Sequence, residues 1–258
     1  MARIRLTYTP KGGVGKSSIT VNLAACAAAS GKRTLVVDLD AQANTTHYLL
    51  GDAASGDGPS IYKFFEQQAN YGLRNHQPGD FMRETPFPSL WIMAAHPELN
   101  FLQAKLEARA KTGKLRDMLS QLRSEFDEIY IDTGPAYNFY SISGLVAADT
   151  CLIPFDCDSF SLDAMRSLML NIGEIAEDHN PALKVEGIVI NQWQPRAKLP
   201  QRMVDALKAD GLPVLEAKLS SSIAMRESHS RHMPLIHMDR SHKLSQEFLA
   251  LYQEITPV

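Results

Sequence analysis

Apolar and polar positions along the chain fall into two rhythms that alternate from one end to the other. Ile4, Leu6 and Tyr8 occupy every second position, which predicts a strand. From residue 18 to 30, Ile19, Leu23 and Cys26 return at helical spacing until Gly31, which predicts a helix with a glycine stop. Short apolar runs at 33–38, 90–94, 128–132, 150–154 and 185–191 read as strands buried on both faces. Between them lie helical stretches at 61–68, 99–122 with a break near Thr112-Gly113, 144–148, 162–178, 200–209 and 241–255, and 214–215 adds a short strand. Residues 51–60 are a Gly/Ala/Ser/Asp-rich loop, and 70–89, with three prolines, have no clear period. Strands that alternate with helices in this way predict an α/β protein: a mostly parallel twisted sheet with helices on both faces, in a single domain over 1–258.

Composition narrows this only a little. Of 258 residues, 45% are hydrophobic and 21% charged, enough apolar material for one ordinary core. No apolar run approaches the length of a membrane span, and the chain enters its first strand too early for a signal peptide. Cys26, Cys151 and Cys157 are odd in number and form no C-x-x-C pair, which argues against a disulfide framework and for a reduced, cytoplasmic setting. The net charge of −3 is uneven: residues 1–183 carry −5, residues 184–243 carry +4 and four histidines, and residues 244–258 carry −2. A basic patch on a mildly acidic protein follows.

The chemistry gathers between the first strand and the first helix, at Pro10-Lys11-Gly12-Gly13-Val14-Gly15-Lys16-Ser17-Ser18. A glycine loop between strand and helix turns successive N–H groups inward around phosphate oxygens, and the helix points its positive end at the same anion. In that arrangement Lys16 reaches the β- and γ-phosphates and the Ser17 hydroxyl takes a place on Mg²⁺. The ordinary pattern has glycine where this chain has Pro10, followed by an additional lysine, Lys11; this is the deviant Walker A form of the P-loop NTPase fold. Two further pieces belong at the carboxyl ends of buried strands: the pair Asp38/Asp40, and Asp132. Asp132 is placed to order the metal. Asp38 reads equally as a group near the metal or as a strand-end acid. Asp40 is the candidate to hold the attacking water in line. Lys11 cannot easily turn onto a site already held by Lys16, so it is expected to reach a partner's nucleotide in a sandwich dimer. Asn191, after the strand at 185–191, is a candidate adenine contact. His229, His232, His237 and His242 have no spacing typical of a metal site.

The segments Lys11–Ser18, Val37–Gln42, Ile129–Thr133 and Ala148–Pro154 closely resemble the ParA family of partition ATPases, within the deviant-Walker ParA/MinD group, and the resemblance covers nearly the whole chain. It implies an ATP hydrolase that uses ATP and Mg²⁺, dimerises on ATP, hydrolyses slowly under stimulation by a ParB-like adaptor or cargo protein, and binds non-specific DNA on the nucleoid. It also implies that Gly12, Gly13, Val14, Gly15 and Ser18 cradle the nucleotide with Lys16, that Lys11 is the signature lysine, and that Asp40 is the hydrolytic acid. Two departures stand out. Gly134 replaces the usual proline, a change expected to affect only the turn, and Ser220-Ser221-Ser222 stands where many members carry a DNA-contacting arginine. Arg196, Lys198, Arg202, Lys218 and Arg226 remain as the candidate DNA surface. A MinD-like membrane cycle would want a basic amphipathic end, whereas 243–258 has two acids and one lysine. A non-hydrolysing scaffold would not need every catalytic position filled, as it is here.

Overall fold

The computed structural model describes residues 1–70, 76–157 and 161–256. Along the chain lie β1 (Arg3–Thr7), α1 (Lys16–Ala29), β2 (Thr34–Asp38), α2 (Asn44–Leu50), α3 (Ile61–Ala69), β3 (Arg83–Glu84), β4 (Leu90–Met93), α4 (Leu99–Ala108), α5 (Lys114–Leu122) and β5 (Glu128–Asp132). They are followed by α6 (Phe139–Ala147), β6 (Thr150–Asp156), α7 (Leu162–His179), β7 (Lys184–Trp193), α8 (Lys198–Ala209), β8 (Val214–Ser220), α9 (Ile223–Ser230), α10 (Leu235–Met238) and α11 (Lys243–Ile255). The strands form one sheet in the order β3-β4-β2-β5-β1-β6-β7-β8. Every neighbouring pair is parallel except β3 with β4.

Side chains in the central strands alternate between two cores. Leu35, Val37, Ile129 and Ile131 enter one with α4 to α7, while Val36, Tyr130, Leu152 and Val189 enter the other with α1 and α11. All five residues of β2 and of β5 are buried, as expected of strands covered on both faces. The order of strands changes direction at β1, so the loop after β1 opens at the carboxyl edge where such sheets bind ligands.

The sequence rhythm misses short polar elements and element lengths. α2, α9 and α10, of seven, eight and four residues, are too short to show a period. α6 begins five residues before the expected start, because the side chain of Asn138 accepts from Tyr140 N and Ser141 N, both at 3.1 Å, and fixes the first turn there. β8 runs on to Ser220 beside β7 rather than ending at Leu215. In the stretch 70–89 a 3₁₀ turn at Pro78–Phe81 leads to the antiparallel edge strand β3; residues 71–75 lie outside the described residues.

Toward the amino ends of the central strands lies a buried ion pair. Arg5, 1% exposed, donates to Glu128 at 2.6 Å and to Glu186 at 3.0 Å, and its other nitrogen reaches the Ile255 carbonyl at 2.8 Å. Tyr130 and Tyr252 also donate to Glu128, at 2.6 and 2.9 Å. The last helix is thereby tied to β1 and β5. Glu128→Ala leaves a buried guanidinium and two phenols short of an acceptor. It should lower the unfolding free energy by about 3–5 kcal/mol, read from the midpoint of a urea transition.

Candidate functional site

β1 delivers the chain to the glycine loop and α1 carries it away. Gly13 and Gly15 have φ of +77° and +90°, the left-handed backbone that lets the loop fold around an anion. The loop is also propped from β7: Asn191 Nδ2 donates to the Val14 carbonyl at 2.9 Å, and a Cβ on Gly15 would stand 2.3 Å from that nitrogen. Gly15 caps α1 with no side-chain acceptor, and the first turn holds no acid, so its first N–H groups face the loop.

Lys16 is 7% exposed, and its ammonium donates to the Lys11 carbonyl at 2.7 Å. Burial lowers its pKa, while the charges of Asp132 and Asp40 act the other way. A buried ammonium with a backbone carbonyl as its hydrogen-bond partner is a cation prepared for an incoming anion. Beside it the Ser17 hydroxyl and the Thr45 hydroxyl both donate to Asp132, the latter at 2.7 Å. Burial raises the Asp132 pKa to about 6 against those two bonds. A hydroxyl and a carboxylate side by side at the foot of the loop are the oxygen donors Mg²⁺ takes, together with phosphate oxygens and water, so the residues present fit the ion.

Asp38 plays a different part. It lies beside Asp132 in the pairing of β2 with β5 and is fully buried. One of its oxygens accepts from Asp40 N at 3.1 Å, and the other accepts from Thr46 N and Thr46 Oγ1 at 2.8 and 2.7 Å. These bonds hold the turn from β2 into α2, and burial beside Asp132 raises its pKa. Asp40 instead lines the cavity, its Oδ1 accepting from Gln42 N at 3.0 Å. A Cβ on Gly134 would stand 3.2 Å from that Oδ1, so the glycine in place of proline bears on Asp40 as well as on the turn.

The cavity over the loop measures about 450 Å³, and a second of about 300 Å³ opens on the other side of it. Gly13, Gly15 and Ser18 line both, and Asn191 lines the second with Gln192 and Ser220–Ser222. Lys11 lines neither; its carbonyl is spent on Lys16. Sequence reasoning missed Thr45 and Thr46, which orient the two buried carboxylates, and Tyr48, His47, His229 and His232, which complete a wall of the first cavity. The adjacent threonines after the Asp38–Asn44 segment were the only signal for the first pair. Three of the four histidines without metal-site spacing take separate tasks: His229 stacks on Tyr48, His237 stacks on Phe87, and His242 caps α11.

The basic residues gather at the carboxyl ends of β7 and β8. Arg196, Lys198, Arg202 and Arg226 are exposed, and the Lys218 ammonium sits 4.2 Å from the centre of the Trp193 ring. Ser220 gives its N–H and hydroxyl to Glu247, each at 2.7 Å. The Lys243 ammonium also donates to the Ser220 hydroxyl at 3.2 Å and pairs with Glu247 at 3.5 Å, so an acid and a lysine both meet this serine.

The AAA_31 family, an AAA domain, matches residues 2–185. Over 258 residues the chain is 30% identical to the chromosome partitioning protein ParA of Myxococcus xanthus, covering 99% of this chain and 88% of that one. It belongs to the ParA-type P-loop ATPases. Among solved structures, apo McdA of Cyanothece superposes with a TM-score of 0.85 at 19% identity, covering 99% of this chain and all of that one. Cobyrinic acid a,c-diamide synthase of Mycobacterium smegmatis, with an ATP analogue and magnesium bound, gives 0.82 at 21% identity over 98% of this chain and 93% of that one. At those identities the likeness is one of fold.

Two outcomes follow from the geometry. Gly15→Ala forces a side chain into left-handed backbone against Asn191. It should cost about 1–3 kcal/mol in chemical denaturation and weaken ADP binding in calorimetry. Asp132 carries a penalty when charged, because its folded pKa lies above the usual carboxylate value. Its contribution to stability therefore falls as pH rises from about 4 to about 6 and stays low above that. Asp132→Asn should raise the melting temperature of the nucleotide-free protein at pH 7.5, and the gain should shrink by pH 5, measured by differential scanning fluorimetry.

Proposed function

We propose that the protein is a Mg²⁺-dependent ATPase that dimerises on ATP, binds non-specific DNA as the dimer, and positions a plasmid, chromosome or protein cargo with a ParB-like adaptor. The observation that carries this reading is the buried Lys16 ammonium on the Lys11 carbonyl, flanked by Ser17, Asp132 and Asp40. Bound magnesium would neutralise charge on the β- and γ-phosphates. Ser17 would hold it directly, and Asp132 would order its water. Asp40 would orient the attacking water, since phosphoryl transfer asks mainly for position and charge compensation. Asn191 and the second cavity would receive the base. Lys11, whose side chain lines neither cavity, would serve the partner's nucleotide and so make hydrolysis depend on the dimer.

The exposed Arg196, Lys198, Arg202 and Arg226 support a DNA surface that neutralises phosphates without reading sequence. A nucleoid location would follow from it. The membrane-cycling alternative finds no support in α11: Leu244, Phe248, Leu251, Tyr252 and Ile255 are buried in the core, and among the described residues no helix is long and apolar enough to cross a membrane.

Co-sedimentation with random-sequence DNA at low salt tests the reading. Binding with ATP but not with ADP is expected, and equal binding in both states would overturn it. Replacing Arg196 and Arg202 by glutamate should weaken DNA binding and reduce the salt slope by about two, one for each lost phosphate contact, with nucleotide affinity unchanged. Lys16→Ala should abolish nucleotide binding. Lys11→Ala should keep ADP affinity and lose the ATP dimer, and Asp40→Ala should keep the ATP dimer from turning over; light scattering with phosphate release separates the three.

A further inference from the structure

His229 stands where the glycine loop becomes α1, and nothing in the ATPase chemistry above accounts for it. Its Nε2 lies 2.8 Å from the Ser18 hydroxyl oxygen. Its ring is stacked on Tyr48, with centroids 4.0 Å apart and planes 25° from parallel. Tyr48 is itself fixed: its hydroxyl is bonded to Ser228 and accepts from Asn22 Nδ2 at 3.1 Å. Asn22 Nδ2 also donates to the Ser18 carbonyl at 2.8 Å, and Asn22 Oδ1 accepts from Leu235 N at 2.8 Å. The imidazole thus cannot swing away from Ser18 without unstacking from a ring tied to three elements.

Ser18 itself lies at a junction, because it lines both the cavity over Lys16 and the cavity beside Asn191. A nucleotide with its terminal phosphates at Lys16 and its base beside Asn191 passes Ser18 at the phosphate nearest the ribose. We propose that His229 is a positioning residue for the nucleotide: its Nε2–H donates to Ser18 Oγ, which leaves the Ser18 hydroxyl proton to donate to the α-phosphate. Burial next to His232 holds the His229 ring in its neutral form, as a single N–H donor requires. The α-phosphate is common to ATP and ADP, so this contact strengthens both equally, unlike the contacts of Lys16 and Lys11 with the outer phosphates. The proposal rests on the nucleotide reading of the site.

The experiment is calorimetric titration of the full chain with ADP and with a non-hydrolysable ATP analogue, with magnesium present. Four proteins are compared with wild type: Ser18→Ala, His229→Phe, His229→Gln, and Ser18→Ala combined with His229→Phe. Phenylalanine keeps the stacked ring and removes the N–H, whereas glutamine restores an N–H near the same place. Ser18→Ala should weaken both nucleotides about tenfold, the size of a hydrogen bond to a charged group. His229→Phe should weaken both by one common factor, His229→Gln should bind within about twofold of wild type, and the double variant should be no weaker than Ser18→Ala. Wild-type affinity in His229→Phe, equal losses in Phe and Gln, or losses that add in the double variant would each overturn the proposal. If His229→Phe does not fold, judged by its melting curve, Ser18→Ala and His229→Gln decide alone: unchanged affinity in the first or a large loss in the second overturns it. Wild-type protein that binds neither nucleotide refutes the nucleotide reading itself, a result distinct from all of these.

Discussion

An ammonium placed out of water needs a partner of opposite charge, and in this fold Lys16 is placed out of water before one arrives. The glycine loop makes that possible. Left-handed backbone at Gly13 and Gly15 curls the chain so that the lysine folds back on the Lys11 carbonyl, and the uncapped end of α1 stays open beside it. A carbonyl is a weak substitute for an anion. Much of what surrounds the loop serves to hold this arrangement: Asn191 props Val14, Ser17 and Thr45 hold Asp132, and the Asp38–Thr46 bonds fix the turn that presents Asp40.

Periodicity was enough to place the sheet and most helices because the central strands are buried on both faces. A run such as Leu35-Val36-Val37 has no other use in a chain of this length. The short helices were hidden for the opposite reason: α2 is held by the bonds of Thr45 and Thr46 to buried carboxylates and α9 by its Ser222 cap, which leave no apolar rhythm. The sequence could set the loop, Lys16, Ser17, Asp40 and Asp132 near one another because such a site would demand fixed residue types at fixed places, and the structure brings them together. Asp38 shows the boundary of such reading. Strand position put it level with Asp132, and the hydrogen bonds from Thr46 and Asp40 show in addition that it holds the turn into α2. Thr45, Tyr48 and His229 were out of reach, since what matters about them is which distant residue they touch.

The basic edge illustrates a different dependence. Its composition was visible, but its layout belongs to the end of the sheet: β7 and β8 lie side by side, so the turns that follow them bring Arg196, Lys198 and Arg226 to one region. Within it, Glu247 holds Ser220 by two bonds. Lys243 reaches the same hydroxyl and the same carboxylate, at 3.2 and 3.5 Å, so Ser220 is tied into an ion pair on α11.

The two cavities meet only along the start of α1, with Gly13, Gly15 and Ser18 as their common wall. One compartment is finished by α2 and the turn after β5, the other by the ends of β7 and β8, and α9 borders both, with His229 on the first and Met225 and Arg226 on the second. If a nucleotide lies across them, counting phosphates and recognising the base fall to largely different parts of the chain, with α9 shared between the two. Descendants of this scaffold can then alter their choice of base while leaving the hydrolytic end untouched, and the reverse is equally open to them.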